Sequence, residues 1–247
     1  MPGRLIILSG PSCVGKSPLD RALKKFYPEL RETLQFLVLY NDRDIRPGEA
    51  DSIDYYFRDR EFVKSLKKED KYVVLDVRGD LQALDLEELS GKLDKGDVFF
   101  EGNPFVGGIL LSHPKLQKVN KLSVFMSPVS KEEILLLKSP EKNISLPDLI
   151  TDIMRRKLHR RTKKQKKELS RKDFENMERR ASSAYRELKE AFLFDYVIPN
   201  HDGEDSENWE TFYYPIGDAH KVLEAFVSLL KGEKTTWAEH WEQDLIP

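Results

Sequence analysis

Short apolar runs alternate along the chain with segments in which apolar residues recur at helical spacing. Six runs predict strands, at residues 4–8, 34–40, 72–78, 97–101, 122–126 and 195–200. Helical spacing predicts helices at residues 16–27, 60–68, 86–93, 130–137, 170–188 and 216–230. Residues 81–84 are expected to pair back on the preceding strand, and residues 105–111 to form a loop leading to a helix. The alternation predicts an α/β fold, with a parallel sheet covered by helices on both faces.

The segment between the first strand and the first helix carries the clearest chemistry. Residues 10–17, Gly-Pro-Ser-Cys-Val-Gly-Lys-Ser, fit the pattern G-x-x-x-x-G-K-[ST] of a phosphate-binding loop. Its glycines let successive N–H groups curl around a phosphate, and the helix N-terminus adds partial positive charge. Lys16 is expected to reach the β- and γ-phosphates, and the Ser17 hydroxyl to ligate Mg²⁺. The candidate ATP-binding residues in this loop are Gly10, Ser12, Cys13, Val14, Gly15, Lys16, Ser17 and Pro18.

Two residues of this loop qualify the prediction. Pro18 has no N–H to offer an α-phosphate, so we expect a weaker contact there and not a dead loop. Cys13 lies near a helix N-terminus, where a thiol can be reactive, although a small residue filling a tight loop explains it as well. A chance glycine-rich turn is disfavoured by the strand before the loop and the helix after it.

The overall charge narrows the functional classes. Charged residues make up 34% of the 247 positions, yet the formal net charge is only -2, which disfavours general nucleic-acid binding. No apolar run is as long as a membrane span, and we expect no signal peptide before the first strand. The single cysteine cannot form an internal disulfide, so the expected compartment is the cytoplasm.

A polar segment after the second predicted strand contains two arginines three residues apart. Arg43 and Arg46 precede a Pro47-Gly48 turn, which would present their guanidinium groups to phosphate oxygens. Tyr55, further along, could add a hydroxyl donor. Taken alone, such a charge-rich loop is more often plain solvated surface.

Three segments together resemble the guanylate kinase family in their order and spacing. They are the phosphate loop, Arg43-x-x-Arg46-Pro47-Gly48-Glu49 and Asp54-Tyr55-Tyr56-Phe57. The resemblance runs, with gaps, from residue 4 to about residue 230. It implies that Arg43, Arg46 and Tyr55 bind the phosphate of an acceptor GMP, with Glu49 as their acidic neighbour.

The residues that hold the guanine ring in that family are missing at the aligned places. Val74 stands where a glutamate is expected, Asp85 stands near the position of a serine, and the serine of the preceding strand is absent near residues 39–40. Asp76 lies two residues beyond Val74 on the same strand face, and its carboxylate could read a guanine edge. An ordinary polar residue on a half-exposed strand is the equal alternative.

The predicted strand at residues 97–101 ends in a carboxylate, Glu101, followed by Gly102, Asn103 and Pro104. In phosphate-loop enzymes an acid at such a strand end orders Mg²⁺ or its waters, so Glu101 joins Ser17 as a candidate metal ligand. The resemblance implies aspartates here, and Glu101 and Asn103 take their places. A strand that ends in a solvated glutamate is the alternative.

Residues 155–172 contain eleven Lys or Arg and one acid. A solvated face or interaction tail is the commonest explanation, and a nucleic-acid patch is disfavoured because no aromatic residues interleave for stacking. The third explanation is a phosphate-transfer lid, because residues 158–162 and 178–184 resemble the two lid segments of guanylate kinases. Arg161 and Arg180 align with the arginines that contact the transferred phosphate. An apolar stripe from Phe174 to Leu188 predicts one buried face of a long helix.

The C-terminal region adds three expectations. Asn200 resembles the adenine-side asparagine of the family. Residues 201–210 carry five acids and are expected to form a solvated loop, pinned by Trp209 and the aromatic residues 212–215. Residues 235–247, with two tryptophans in a polar tail, could dock on the domain or on another chain, which leaves a homodimer open.

The resemblance implies one domain with four parts. These are a core at residues 1–39, 86–147 and 190–234, an acceptor-binding subdomain at 40–85, a lid at 148–189 and a tail at 235–247. The expected activity is ATP- and Mg²⁺-dependent phosphoryl transfer to a nucleoside monophosphate, GMP first, with Lys16, Arg43, Arg161 and Arg180 as catalytic residues. The alternatives are another phosphorylated acceptor, a binding module without turnover, and an NTPase that acts on nucleic acid.

Overall fold

The computed structural model describes residues 3–46 and 48–247; Pro47, part of the arginine motif, lies outside them. In the described residues the strands are, in chain order, β1 (Leu5–Ser9), β2 (Gln35–Phe36), β3 (Leu39–Asn41), β4 (Tyr55–Phe57), β5 (Tyr72–Val77), β6 (Asp80–Asp85), β7 (Val98–Gly102), β8 (Lys121–Ser127) and β9 (Tyr196–Pro199). The α-helices there are α1 (Lys16–Phe26), α2 (Pro28–Arg31), α3 (Arg60–Ser65), α4 (Leu86–Leu93), α5 (Pro104–Ser112), α6 (Lys131–Leu137), α7 (Leu146–Gln165), α8 (Arg171–Leu188) and α9 (Gly217–Leu230).

A five-stranded sheet in the order β2-β7-β1-β8-β9 forms the centre, and each of its pairings is parallel. Side chains of the central strand β1 alternate between two apolar clusters, one on each face of the sheet. One cluster includes residues of α1 and α9, and the other includes residues of α5, α7 and α8. The α/β fold class is therefore confirmed, and the carboxyl ends of these strands meet at one edge, where such sheets bind ligands.

A second, mixed sheet has the order β4-β3-β6-β5. Strands β3 and β4 pair in parallel, while β6 pairs antiparallel with both β3 and β5. Its four strands fall within the predicted acceptor-binding segment and the residue before it. One face joins the main core through Leu39, Val77 and Leu84, and the opposite face packs on the short helix α3.

Two predicted elements were wrong. The apolar run at residues 34–40 is not one strand but two, β2 in the first sheet and β3 in the second. The segment predicted as a loop at residues 105–111 lies in helix α5. A side chain on Gly107 would come within 2.6 Å of Ser9 Oγ and 2.9 Å of the Phe194 ring, so this glycine permits close packing and does not break the helix.

Helices α7 and α8 pack along each other and account for most of the segment predicted as a lid. Helix α8 begins with a capping box, in which Ser170 and Asp173 satisfy each other's backbone N–H groups. Four residues of the predicted apolar stripe are buried, namely Met177, Ala181, Ala184 and Leu188. Phe174 is the exception, because its side chain is 51% exposed and lies beside His159.

The C-terminal tail docks on the chain's own domain. Glu239 and Val197 exchange both backbone hydrogen bonds, at 2.7 and 2.8 Å, which adds a bridge beside β9. Trp241, Leu245 and Ile246 are buried in the main core. No helix in the described ranges is long and apolar enough to cross a membrane.

Candidate active site

The phosphate loop connects β1 to α1 at the carboxyl edge of the central sheet. Gly10, Cys13 and Gly15 have φ angles of 148°, 71° and 108°, so the loop turns through conformations that favour glycine. A side chain at Gly15 would come within 2.5 Å of the Asn200 amide nitrogen and 3.0 Å of the Asp202 carbonyl oxygen. The backbone of this loop can therefore approach its surroundings as closely as a phosphate requires.

Lys16 lies across the inside of the loop. Its Nζ donates to the carbonyl oxygens of Gly10 and Pro11, at 2.8 and 2.9 Å, and its side chain is buried. Burial lowers the pKa of Lys16, while the carboxylates of Glu204 and Glu101 oppose that shift. A buried cation at this point attracts an anion in the loop.

Cys13 is a packing residue. The thiol is fully buried, and burial, followed by the nearby Glu204 charge, raises its pKa to about 12. Since the thiolate is the reactive form, this cysteine is inert at neutral pH, and the alternative of a loop-filling residue is the one that the structure supports.

Ser17 and Glu101 face each other, with Ser17 Oγ donating to Glu101 Oε1 at 3.0 Å. Burial raises the pKa of Glu101 to about 7, although the charge of Lys16 works in the opposite direction. The described residues contain no cluster of three or more His, Cys, Asp or Glu that could hold a metal on its own. Two protein oxygens beside a phosphate loop fit Mg²⁺, which takes most of its ligands from phosphates and water.

Arg43 is already held by a carboxylate of its own loop. Its two terminal nitrogens lie 2.7 and 2.6 Å from the oxygens of Glu49, and its guanidinium group lies over the rings of Tyr55 and Phe57. Glu49 also accepts the backbone N–H of Arg46 at 2.9 Å. Glu49 therefore shapes the arginine loop, and the resting fork of Arg43 is not open to a ligand.

The guanidinium group of Arg46 is more available to a ligand than that of Arg43. It forms no side-chain hydrogen bond or ion pair with any residue in 3–46 or 48–247. Burial and then the charge of Arg43 lower the pKa of Arg46 to about 10, so it remains a cation at neutral pH. The charge of Arg161 on helix α7 also lowers the pKa of Arg46.

Arg180 of helix α8 is a buried cation without a counter-charge among the described residues. Its residue is 6% exposed, and its guanidinium group has no hydrogen bond or ion pair to any described residue. Burial, followed by the charges of Arg46, Arg161 and Arg78, lowers its pKa well below the usual arginine value. Arg46, Arg78 and Arg161 thus surround Arg180 closely enough to repel its charge, and this repulsion is relieved when an anion binds among them.

Sequence reasoning missed Arg78, which links the second sheet to the phosphate loop. Arg78 lies in the turn between β5 and β6 with a φ of 61°. Its Nη1 donates to Ser12 Oγ at 2.9 Å, and its Nε donates to Glu187 Oε1 of α8 at 2.5 Å. Asn103 and Ser183 donate to the same Glu187 oxygen, at 3.1 and 2.7 Å. The signal available in the sequence was a charged residue immediately before a turn glycine.

Of the two alternatives for Asp76, the structure supports the ordinary polar residue on a half-exposed strand. Asp76 pairs directly with Leu81, which belongs to the apolar cluster under α3, so its side chain lies on the face opposite Leu39 and Val77. Tyr55 pairs with Leu39, so it lies on the face of the second sheet that joins the main core, which we call the inner face. The Asp76 carboxylate is exposed and accepts the backbone N–H of Gly79 at 2.7 Å, which stabilises the turn.

Two amides occupy the inner face instead. Asn41 and Gln82 are direct cross-strand partners on β3 and β6, and they are 0% and 7% exposed. The Asn41 amide oxygen accepts the backbone N–H of Arg43 at 3.2 Å, while its amide nitrogen is buried without a hydrogen-bond partner in the described part of the chain. A buried donor left without a partner is costly, so Asn41 marks a place where a ligand or water could complete the site.

Asn200 supports the phosphate loop and is fully buried. Its amide nitrogen donates to the carbonyl oxygens of Val14 and Asp202, both at 2.7 Å, and its oxygen accepts the Asp202 N–H at 3.1 Å. Both amide hydrogens are therefore used inside the protein. The expected contact of this asparagine with adenine is not available in this arrangement.

The prediction of a solvated loop at residues 201–210 holds for Glu207 and Glu210, which are exposed, and is wrong for Glu204 and Asp205. Glu204 is paired with Arg161 at 2.6 Å, and Asp205, which is 8% exposed, is paired with Arg160 at 2.7 Å. Trp209 is buried and donates its indole N–H to the Asp202 carbonyl at 2.7 Å. Basic residues of α7 cover the loop, and composition alone could not reveal that pairing.

A central parallel sheet with a phosphate loop, a small arginine-bearing sheet and two covering helices define a phosphate-loop protein with the layout of a nucleotide kinase. The sequence model of guanylate kinase matches residues 2–76. A guanylate kinase of Synechococcus sp. (strain JA-3-3Ab) is 31% identical over 216 residues, which are 86% of this chain and 83% of that protein. The chain belongs to the guanylate kinase family.

A solved structure extends the similarity to the whole fold. The crystal structure of guanylate kinase from Anaplasma phagocytophilum superposes with a TM-score of 0.55 and 19% sequence identity, covering 96% of this chain and 90% of that one. At this identity the match establishes the shared fold alone.

We predict that Glu187 is essential to the stability of the site. Replacing it with Ala leaves Arg78 buried without its counter-charge, which is expected to lower the free energy of unfolding by about 3–5 kcal/mol. Denaturant unfolding of Glu187→Ala measures the loss, and Glu175→Ala, which removes an exposed carboxylate from the same helix, should change stability by less than about 0.5 kcal/mol. The double variant Arg78→Met, Glu187→Met should recover much of the loss; equal stability of Glu187→Ala and wild type would contradict the prediction.

Proposed function

We propose that the protein transfers the γ-phosphoryl group of ATP, with Mg²⁺, to a nucleoside monophosphate, with GMP as the first candidate acceptor. The observation that carries the proposal is Arg180, buried and unpaired among the described residues, with Arg46, Arg78 and Arg161 around it and with Arg78 hydrogen-bonded to Ser12 of the phosphate loop. Phosphoryl transfer asks a protein mainly to position two anions and to neutralise their charge. Family membership supports the same activity.

The donor ATP would bind in the phosphate loop. The N–H groups of residues 10–17 and the Nζ of Lys16 would hold its β- and γ-phosphates. A groove of about 310 Å³ beside Pro18, lined also by Arg21, Glu204 and Trp209, is open for the nucleoside. Ser17 and Glu101 would hold Mg²⁺, which neutralises charge on phosphate oxygens when bound.

The acceptor phosphate would bind to Arg46 and Tyr55, with Arg43 positioned by Glu49 beside them. An oxygen of this phosphate attacks the γ-phosphorus, the bond to the β-phosphate oxygen breaks, and ADP leaves. The acceptor oxygen is already anionic, so the reaction needs no general base. Arg161 and Arg180 from the lid would stabilise the charge on the transferred group, and closure of α7 and α8 would keep water out.

The base half of the proposed acceptor site departs from the pattern of the family. Val74 and the outward-facing Asp76 cannot replace the missing guanine ligands, and the inner face offers the amides of Asn41 and Gln82 in their place. A modified nucleotide or a sugar phosphate is therefore the second candidate acceptor. A binding module without turnover is disfavoured by the intact Lys16 and Ser17, because binding alone does not require a Mg²⁺ ligand.

An acceptor panel tests the proposed function. The full chain is incubated with ATP, Mg²⁺ and GMP, AMP, CMP, UMP, dGMP or a sugar phosphate, and ADP is followed by a coupled assay. We expect acceptor-dependent ADP formation with at least one member and loss of activity when Mg²⁺ is chelated. ATP binding without ADP formation for any acceptor would favour the binding module, and stimulation by RNA or DNA alone would favour a nucleic-acid-dependent NTPase.

Replacing Arg180 separates catalysis from binding. Arg180→Met should lower kcat by roughly 10³-fold or more, because an arginine that stabilises the transferred phosphoryl group contributes about that much. The KM for the acceptor should change far less. Arg179→Met is the matched control, because Arg179 is adjacent on α8, 44% of its side chain is exposed, and its charged neighbour is Asp80 on the second sheet. Equal kcat values for the two variants would contradict the assignment.

Pro18 offers a gain-of-affinity test. Proline has no N–H for the α-phosphate, so Pro18→Thr adds one donor at the start of α1. One added hydrogen bond of about 1 kcal/mol corresponds to a roughly fivefold lower KM for ATP. Steady-state kinetics with saturating acceptor measure the change, and an unchanged or higher KM with an unaltered melting temperature would show that the α-phosphate does not bind at this position.

A further inference from the structure

Apart from Arg161, the basic helix α7 and the acidic loop at residues 201–210 supply no charged residue that we assign to the transfer of the phosphoryl group. They are paired with each other through six contacts. Four basic residues of α7 contact the loop. Lys157 contacts the His201 carbonyl and Asp205, Arg160 contacts Asp205, Arg161 contacts Glu204, and Lys164 contacts the Asp205 carbonyl and Glu207. We call the loop at residues 201–210 the acidic latch, because it connects the lid helix to the core.

Glu204 extends from the latch into the phosphate side of the cleft. Its backbone N–H donates to the Cys13 carbonyl of the phosphate loop at 3.3 Å, and its carboxylate lies 2.6 Å from Nη1 of Arg161. Side-chain exposures of 15% for Glu204 and 18% for Arg161 show that this ion pair is largely shielded. Burial acts to raise the pKa of the Glu204 carboxyl group. The charges of Arg161, Lys16 and Arg180 outweigh burial and lower this pKa below its usual value.

Arg161 is only partly satisfied by this partner. One terminal nitrogen contacts Glu204, while its Nε is buried without a hydrogen-bond partner in the described part of the chain. A phosphate presents three oxygens and accepts two parallel hydrogen bonds from an arginine fork, which a single carboxylate oxygen does not. The arrangement with Glu204 therefore leaves room for a better ligand.

A carboxylate and a phosphate cannot both use the same guanidinium group at full strength. The cations that stabilise Glu204 are those that the proposed function assigns to the donor: Lys16, Arg161 and Arg180. An added phosphate close to Glu204 would also repel it. Binding of the donor must consequently include the free energy of displacing this carboxylate.

We propose that Glu204 is a tethered anion that occupies the phosphate side of the cleft when no nucleotide is bound and is exchanged for the donor's phosphate, so that Arg161 changes partner from carboxylate to phosphoryl group. The inference rests on the proposed donor site. Glu204 would thereby set the affinity for the donor and hold Arg161 in position before the donor arrives.

Calorimetric titration of the full chain with MgATP and, separately, with inorganic tripolyphosphate tests the exchange. Glu204→Gln removes the competing charge and keeps the size of the side chain. Both ligands should therefore bind to this variant about tenfold more tightly than to wild type, because a charge-assisted hydrogen bond contributes about that much. Glu207→Gln is the matched control, since Glu207 belongs to the same latch, is exposed and lies 3.5 Å from Lys164. This control should bind tripolyphosphate like wild type, because Glu207 lines the groove proposed for the nucleoside and its ion-pair partner is Lys164, not Arg161.

Thermal unfolding distinguishes exchange from a purely structural ion pair. Glu204→Gln leaves Arg161 unpaired and is expected to melt below wild type, and saturating tripolyphosphate should raise its melting temperature by more than it raises that of wild type. A lower melting temperature that tripolyphosphate does not recover, or an affinity no higher than wild type, would overturn the inference. Acceptor-dependent ADP formation by wild type would leave the proposed function standing in that case. Absence of binding of either ligand to all three proteins would overturn the inference and the donor site together.

Discussion

Repulsion between buried cations is the constraint on which the site depends. Arg46, Arg78, Arg161, Arg180 and Lys16 influence one another's charge within one cleft, and each buried charge costs several kcal/mol unless it is compensated. Glu187 compensates Arg78, Glu204 compensates Arg161, and Glu49 organises the arginine loop. Arg180 has no such partner in the described chain, so the protein retains an excess of positive charge where a phosphate is expected.

The same ion pairs fix the relative position of the parts of the molecule. Glu187 is on α8, Arg78 is on the turn of the second sheet, and Ser12 is in the phosphate loop, yet two hydrogen bonds connect all three. The acidic latch in turn connects α7 to the segment that follows β9. The charged groups that line the cleft therefore also connect the second sheet, α7 and α8 to the phosphate loop and to the segment after β9.

Local signals predicted the parts of the structure that local physics determines. The phosphate loop was predictable because its glycines, its lysine and its flanking elements are contiguous, and the stripe of α8 was predictable because helical spacing is local. The division of residues 34–40 between two sheets depends on distant partners, Phe99 for β2 and Ala83 for β3. The charge of residues 201–210 predicted exposure, whereas basic residues of α7 about 45 positions away in sequence bury part of it. Helix α5 was missed because Gly107 is unfavourable for a helix by propensity and necessary for contact with Phe194.

The two halves of the proposed acceptor site differ in how far they keep the pattern of the family. The phosphate half retains Arg43, Arg46, Glu49 and Tyr55, and phosphate recognition needs only positive charge and hydrogen-bond donors, which any phosphorylated acceptor satisfies. The base half determines which acceptor is selected. Guanine offers adjacent N–H donors, for which a carboxylate is the better partner, and the inner face offers amides that both donate and accept. An amide matches donor–acceptor pairs on more than one base, and it leaves no buried charge unpaired when the base changes. If the acceptor ring lies against Asn41 and Gln82, this half of the site is chemically more permissive than a carboxylate would make it, and the selection of the acceptor rests more heavily on its phosphate and its shape.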